Sequence, residues 1–127
     1  MSELQYFEVV GEHAEYRPIG RVSQSQMVKL VASALVFARE QHIRKLLVVT
    51  SGLTGFAPPI LADRYYFIQE WAKASGHSVR AALVARPEMI DGQKFGVTVA
   101  ANHGFIADIF ASEDEALAWL HRQVKRP

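Results

Sequence analysis

Ser51, His103 and Asp108 supply a hydroxyl, an imidazole and a carboxylate, the three parts of a relayed nucleophile. A serine of that kind sits on a sharp G-x-S-x-G elbow. Here the stretch reads Val49-Thr50-Ser51-Gly52-Leu53, so no nucleophile is expected. Asp63 and Glu70 would pair as general acid and base only if they converged on one bond. Their spacing is about two helical turns, too far for that. His13, His42, His77, His103 and His121 form no short metal-spaced pair. The last four fall near predicted helix ends, where cationic side chains complement the dipole. The chain has no cysteine, which removes thiolate metal sites, disulfides and thiol nucleophiles together. It also lacks a P-loop and a G-x-G-x-x-G fingerprint. No catalytic residue, metal or cofactor is therefore expected, and the chain reads as a non-enzyme.

Binding is the more promising chemistry. The stretch Ser51-Gly52-Leu53-Thr54-Gly55-Phe56-Ala57-Pro58-Pro59 follows an apolar run and precedes a helix. Ligands of open α/β sheets sit beyond the carboxyl ends of the strands. Leu53, Phe56 and Ile60 make this loop unusually apolar. It reads as a rim for an apolar ligand or a partner, or alternatively as a flap that completes the core. Proline at the helix start removes one free amide, which weakens an anion-binding reading of the helix end.

The helix that follows, predicted over Pro59 to Ala74, carries two apolar stripes. Leu61, Tyr65, Ile68 and Ala72 form one, suited to a sheet contact. Ile60, Phe67, Trp71 and Ala74 form the other, with Arg64 inside it. The second stripe suits self-association or a protein partner, with Arg64 meeting a carboxylate or phosphate. It also suits packing against the third predicted helix of the chain, with Arg64 reaching outward to water. The candidate binding residues are thus Ser51, Leu53, Thr54, Phe56, Ile60, Arg64, Phe67 and Trp71. Arg86-Pro87-Glu88 with Asp91-Gly92 forms the next carboxyl-end loop, placed to complete a pocket with the first.

These residues need a scaffold. Leu4 to Val10 and Glu15 to Val22 read as two strands joined at Gly11-Glu12-His13, with Pro18 and Gly20 interrupting the second. Ser23 and Gln26 form a capping box that opens a helix ending near Gln41. Met27, Leu30, Val31, Ala34, Leu35 and Ala38 recur along it at helical spacing. Lys45 to Thr50, Val79 to Ala85 and Phe105 to Phe110 hold continuous apolar runs, as in parallel strands covered on both faces. Ser112 with Glu115 caps a last helix expected to reach Arg126. Lys94 to Ala101 alternates like a strand, yet joining the parallel strands on either side takes a right-handed crossover. The reading adopted is a helix from about Gly92 to His103. The order is β-β-α-β-α-β-α-β-α, an α/β fold with one mixed, mostly parallel sheet, an N-terminal hairpin and flanking helices.

Composition sets the outer bounds. A chain of 127 residues, half of them hydrophobic, fits a single domain over 1–127. Fourteen basic residues against thirteen acidic ones leave a net charge of +1, without the basic face that nucleic acid requires. No apolar run reaches the roughly 18 residues of a membrane span. Met1-Ser2-Glu3-Leu4 lacks the pattern of a signal peptide, so a cytoplasmic location is expected.

Three stretches carry a family resemblance: Lys45-Leu46-Leu47-Val48-Val49-Thr50 with its glycine-containing loop; Arg80-Ala81-Ala82-Leu83-Val84-Ala85 leading to Pro87; and Ala107-Asp108-Ile109-Phe110 followed by Glu113-Asp114-Glu115-Ala116-Leu117-Ala118-Trp119-Leu120. On these the chain resembles the STAS-like domains of anti-sigma-factor antagonists and sulfate-transporter tails, and more closely the bacterial SpoIIAA-like group. That group's fold is similar to lipid-binding CRAL-TRIO domains. The resemblance implies a regulatory module that works by protein–protein interaction, or a small carrier or sensor of an apolar, acyl ligand near residues 51–59. Phosphoswitch members carry an Asp-Ser-Ser-Gly-like motif where their second helix begins. The matching stretch here is Ala57-Pro58-Pro59, which has no hydroxyl, so the switch is not carried over.

Overall fold

The computed structural model describes residues 4–90 and 101–122. β1 (Phe7–Val10) and β2 (His13–Tyr16) form the expected antiparallel hairpin, with Phe7 opposite Tyr16 and Val10 opposite His13. The second strand stops earlier than its sequence suggests. Pro18 has no N–H for a ladder, and Gly20 takes φ 127. The chain leaves the main sheet there and resumes as β3 (Gly20–Arg21).

α1 (Gln24–Glu40) begins at the expected capping box. The Ser23 hydroxyl accepts from the Gln26 amide at 3.1 Å, and the Gln26 side chain accepts from the Ser23 amide at 2.8 Å. β4 (Lys45–Val49) follows, then a two-residue strand, β5 (Leu53–Thr54), that lies inside the supposed loop and pairs in parallel with β3. The expected mixed, mostly parallel sheet has five strands, and β3 and β5 form a separate pair beside it.

α2 (Leu61–Ser75) starts after Pro59 rather than at it. The Ile60 amide donates to the Asp63 carboxylate at 3.3 Å, and Gly76 ends the helix at φ 59. β6 (Arg80–Val84), β7 (Ala107–Phe110) and α3 (Glu113–Leu120) complete the described elements. The expected helix over Gly92 to His103 lies mostly outside the described residues; Ala101 and Asn102 are helical, and Gly104 turns at φ 75. The final helix ends at Leu120 rather than Arg126, and residues 123–127 lie outside the description.

The main sheet runs β1-β2-β4-β6-β7, with every pair after the hairpin parallel. Leu46 pairs with Ala81 and Ala81 with Ala107; Leu47 pairs with Ala82 and Ala82 with Asp108. Successive residues point to opposite faces, so β4 and β6 feed two layers. Leu46, Val48, Ala81 and Leu83 pack under α1 and α2. Leu47, Val49, Ala82 and Val84 pack against Ala116 and Leu120 of α3. Their continuous apolar runs are thus explained by helices on both sides. Each fully buried leucine contributes about 1.5–3 kcal/mol.

α2 packs on α1 within the larger core, so a helix of the same chain covers the second stripe and the partner-surface reading of it is corrected. Phe67, Trp71 and Ala74 are buried inside the chain, so they do not form an exposed partner surface. Leu61 and Tyr65 are exposed, while Ile68 and Ala72 of the same stripe are buried. The helix inclines toward the core as it proceeds, so its first turn stands clear of the sheet.

Candidate functional site

The carboxyl ends of β4 and β6 open into a cavity of about 100 Å³. α2 supplies one wall through Arg64, Phe67, Ile68 and Trp71, and Met27 of α1 closes it at depth. The sheet supplies the floor through Leu83, Ala107 and Ile109. Phe56 and Pro59 come from the loop before α2. Arg86 and Met89 come from the single 3-10 turn Pro87–Met89 and the residue before it. The two carboxyl-end loops thus meet over one space.

Local bonds hold these walls. The Trp71 indole N–H donates to the Val28 carbonyl at 3.0 Å, which fixes the ring against α1. The Phe67 and Trp71 rings lie 5.6 Å apart, tilted by 37°. The Thr50 hydroxyl donates to the Val84 carbonyl at 3.0 Å. Arg64 Nη1 donates to the Met89 carbonyl at 3.1 Å, and Arg86 Nη1 to the Leu53 carbonyl at 3.2 Å. Two guanidinium groups therefore tie the 3-10 turn to α2 and to β5. Gly55 keeps the loop close to β3. It takes φ 102, and a Cβ there would meet the Val22 carbonyl at 2.6 Å.

Of the eight sequence candidates, Phe56, Arg64, Phe67 and Trp71 converge on the cavity. Leu53 does not form a rim. It is fully buried in β5, its side chain part of the core. Thr54 is exposed and holds β3 through its carbonyl, which accepts from the Val22 amide at 2.7 Å. Ser51 is exposed in the turn after β4, and Ile60 is exposed at the start of α2. Asp108 touches the cavity edge, but its register places it on the face shared by Ala82 and α3, and its carboxylate accepts from the Ile109 amide at 2.7 Å. His103 rests its ring on Tyr65. Arg86 belongs to the carboxyl-end loop that the sequence places to complete a pocket, and it lines the cavity, but neither it nor Met89 is among the candidate binding residues. Their only signal was their place just after an apolar strand.

A polar cluster lies on the α3 face. His13 Nε2 is 2.8 Å from the Glu15 carboxylate, and His13 Nδ1 is 2.8 Å from His121 Nε2. His121 Nδ1 is 3.5 Å from Lys45 Nζ. Arg17 bridges Glu15 and Glu113 at 2.7 Å each. Burial and the neighbouring charges of His13 and Lys45 hold the His121 imidazole below its ordinary range. Desolvation raises the Glu15 carboxyl, but hydrogen bonds from His13 and Arg17 outweigh it and leave the group below its usual value. The Arg17 hydrogen bond does the same for Glu113. Among the described residues, no group of three His, Cys, Asp or Glu could hold a metal ion. Nor is any described helix long and apolar enough to cross a membrane.

No family model matches the chain, and no curated protein matches it. Among solved structures, a DUF3478-family protein with a SpoIIAA-like fold from Shewanella loihica PV-4 is similar. Identity is 20% and the TM-score is 0.47, over 94% of this chain and 98% of that one. The likeness is one of fold. SpoIIAA-like is also the group that the sequence resembles.

Proposed function

We propose that this chain is a non-enzymatic binding module that takes a short acyl or aromatic group into the cavity under α2. The observation that supports this reading is the wall itself. Met27, Phe67, Ile68, Trp71, Leu83 and Ile109 surround a space left open among the described residues. Small-ligand sites are concave and mostly apolar, with a few fixed polar groups, and this one has that composition. Its size is comparable with the ~150 Å³ apolar cavity that accepts one benzene ring.

Trp71 is a built-in reporter, and Trp119, the other tryptophan, lies on the opposite face of the sheet beside Phe110. Trp119→Phe therefore leaves one emitter, at the cavity wall. Titration with straight-chain alcohols should change Trp71 emission saturably, with affinity rising along the series until the cavity is full. Unchanged emission across the series would overturn the reading.

A second reading keeps the protein–protein role. Ile60, Leu61 and Tyr66 are 66%, 56% and 54% exposed at the outer start of α2. Apolar and aromatic side chains gathered in this way suit an interface. Leu61→Glu should then lower the molar mass measured by light scattering, and a wild-type monomer mass at high concentration would count against self-association.

A further inference from the structure

Resting on that reading of the cavity, we infer that its ligand carries a carboxylate, received by Arg64 and Arg86. Each guanidinium has five N–H donors, and each spends Nη1 on one backbone carbonyl. Those bonds also fix the two heads, one from α2 and one from the end of β6, at the border of the same apolar space. Arg86 is the more telling. Its Nε is shielded from solvent yet makes no aligned hydrogen bond. The Glu88 carboxylate lies 3.1 Å away as an ion contact only, and that side chain is 58% exposed. A pair so open to water is weak and readily exchanged. A shielded donor without an aligned acceptor favours an incoming anion, because the cost of desolvating the N–H is already met by the fold.

Two acidic groups stand near the cavity: Asp108 at its edge, its carboxylate accepting from the Ile109 amide, and Glu88, whose largely exposed carboxylate makes the ion contact with Arg86. Apart from Thr50 and Asp108 the rest of the lining is apolar, so a carboxylate entering beside Phe56 and Pro59 meets two fixed cations in a poorly hydrated place. A planar fork and a carboxylate match in geometry, giving short charge-assisted bonds. The apolar body then lies against Phe67 and Trp71. A cavity of about 100 Å³ takes a body of about four to six carbons.

Hexanoate and hexan-1-ol separate the anionic head from the apolar body. By Trp71 emission or calorimetry at neutral pH, hexanoate should bind about tenfold more tightly than hexan-1-ol, the gain of one charge-assisted bond. Arg86→Met should abolish most of that advantage, read as the ratio of hexanoate to hexan-1-ol affinity within the same variant, with its circular dichroism spectrum showing that it is folded. Arg64→Met should reduce the advantage in part, and Arg86→Lys should restore some of it. Equal affinity for acid and alcohol in the wild type would overturn the inference while leaving the cavity reading in place. An acid preference that survives both methionine variants would overturn it as well. Binding of neither compound would overturn the cavity reading itself.

Discussion

His121 Nε2 lies 2.8 Å from His13 Nδ1, joining α3 to β2 across a sequence separation of 108 residues. With both rings neutral, the network assigns the tautomers. Lys45 donates to His121 Nδ1, His121 Nε2–H donates to His13 Nδ1, and His13 Nε2–H donates to Glu15. Every donor in this chain points the same way. A proton added at His121 Nδ1 turns that acceptor into a donor and costs the Lys45 contact.

Acid should therefore loosen α3. The His121 imidazole titrates below 6.5 in the folded chain, so the unfolded chain binds more protons in that window. Stability is fully present above 6.5 and is lost as pH falls through the folded value. Thermal melts over that range should show a falling midpoint in the wild type and a flatter profile in His121→Gln. An NMR titration should place the His121 midpoint below that of an exposed histidine.

Arg17 is expected to matter modestly at neutral pH. Its side chain and that of Glu113 are 44% and 40% exposed, so this pair is worth about 0.5 kcal/mol. Glu15 is more enclosed, and Arg17→Ala should cost about 1 kcal/mol in all. The Glu15 and Glu113 carboxyls, held below 4.5 in the wild type, should move back toward it in the variant. The stability they supply is present above 4.5 and disappears as pH falls through their folded values. Urea denaturation at two salt concentrations and carboxyl titration by NMR check both points.

Trp71→Glu should unfold the chain rather than release a partner. The side chain is buried between α1 and α2, and an isolated carboxylate there costs several kcal/mol. Loss of the helical circular dichroism signal at room temperature is the expected result. Trp71→Phe keeps the packing and loses the hydrogen bond to Val28, so it should fold with a deficit of about 1 kcal/mol in urea.

Gly55→Ala should weaken both the small sheet and the site. Alanine resists φ 102, and its Cβ would strike the Val22 carbonyl. A loss of about 1–3 kcal/mol follows, because backbone must move to relieve the contact. Phe56 is the next residue, so hexan-1-ol affinity should fall in parallel. An unchanged melting midpoint would show that β3 yields without cost.

Much of the architecture was readable because its signals are local. Ser23 with Gln26 and Ser112 with Glu115 mark helix starts through two side-chain hydrogen bonds each. The Leu46–Val49 run identifies a strand with two covered faces. The β3–β5 pair was not readable, since two residues carry no period. The stripes of α2 were visible as apolar positions, but periodicity counts such positions without naming what covers them. α1 covers Phe67 and Trp71, and nothing in their spacing distinguishes a neighbouring helix from a second protein. Arg64 was visible as a charge among apolar residues. Arg86 lies in a loop that the sequence places beside the site, but its side-chain reach to Leu53 depends on the fold. His13 and His121 meet only because β2 and α3 share a sheet face, and no sequence spacing encodes that.

α3 follows every strand of the main sheet in chain order, yet it alone among the described helices supplies the cover for Leu47, Val49, Ala82 and Val84. During synthesis the ribosome therefore presents a finished sheet with one greasy side bare. Domains of this size are most vulnerable to sticking together while such surface waits for its cover. That interval lasts until α3 has emerged and docked. Shortening at Ser112 would make that interval permanent.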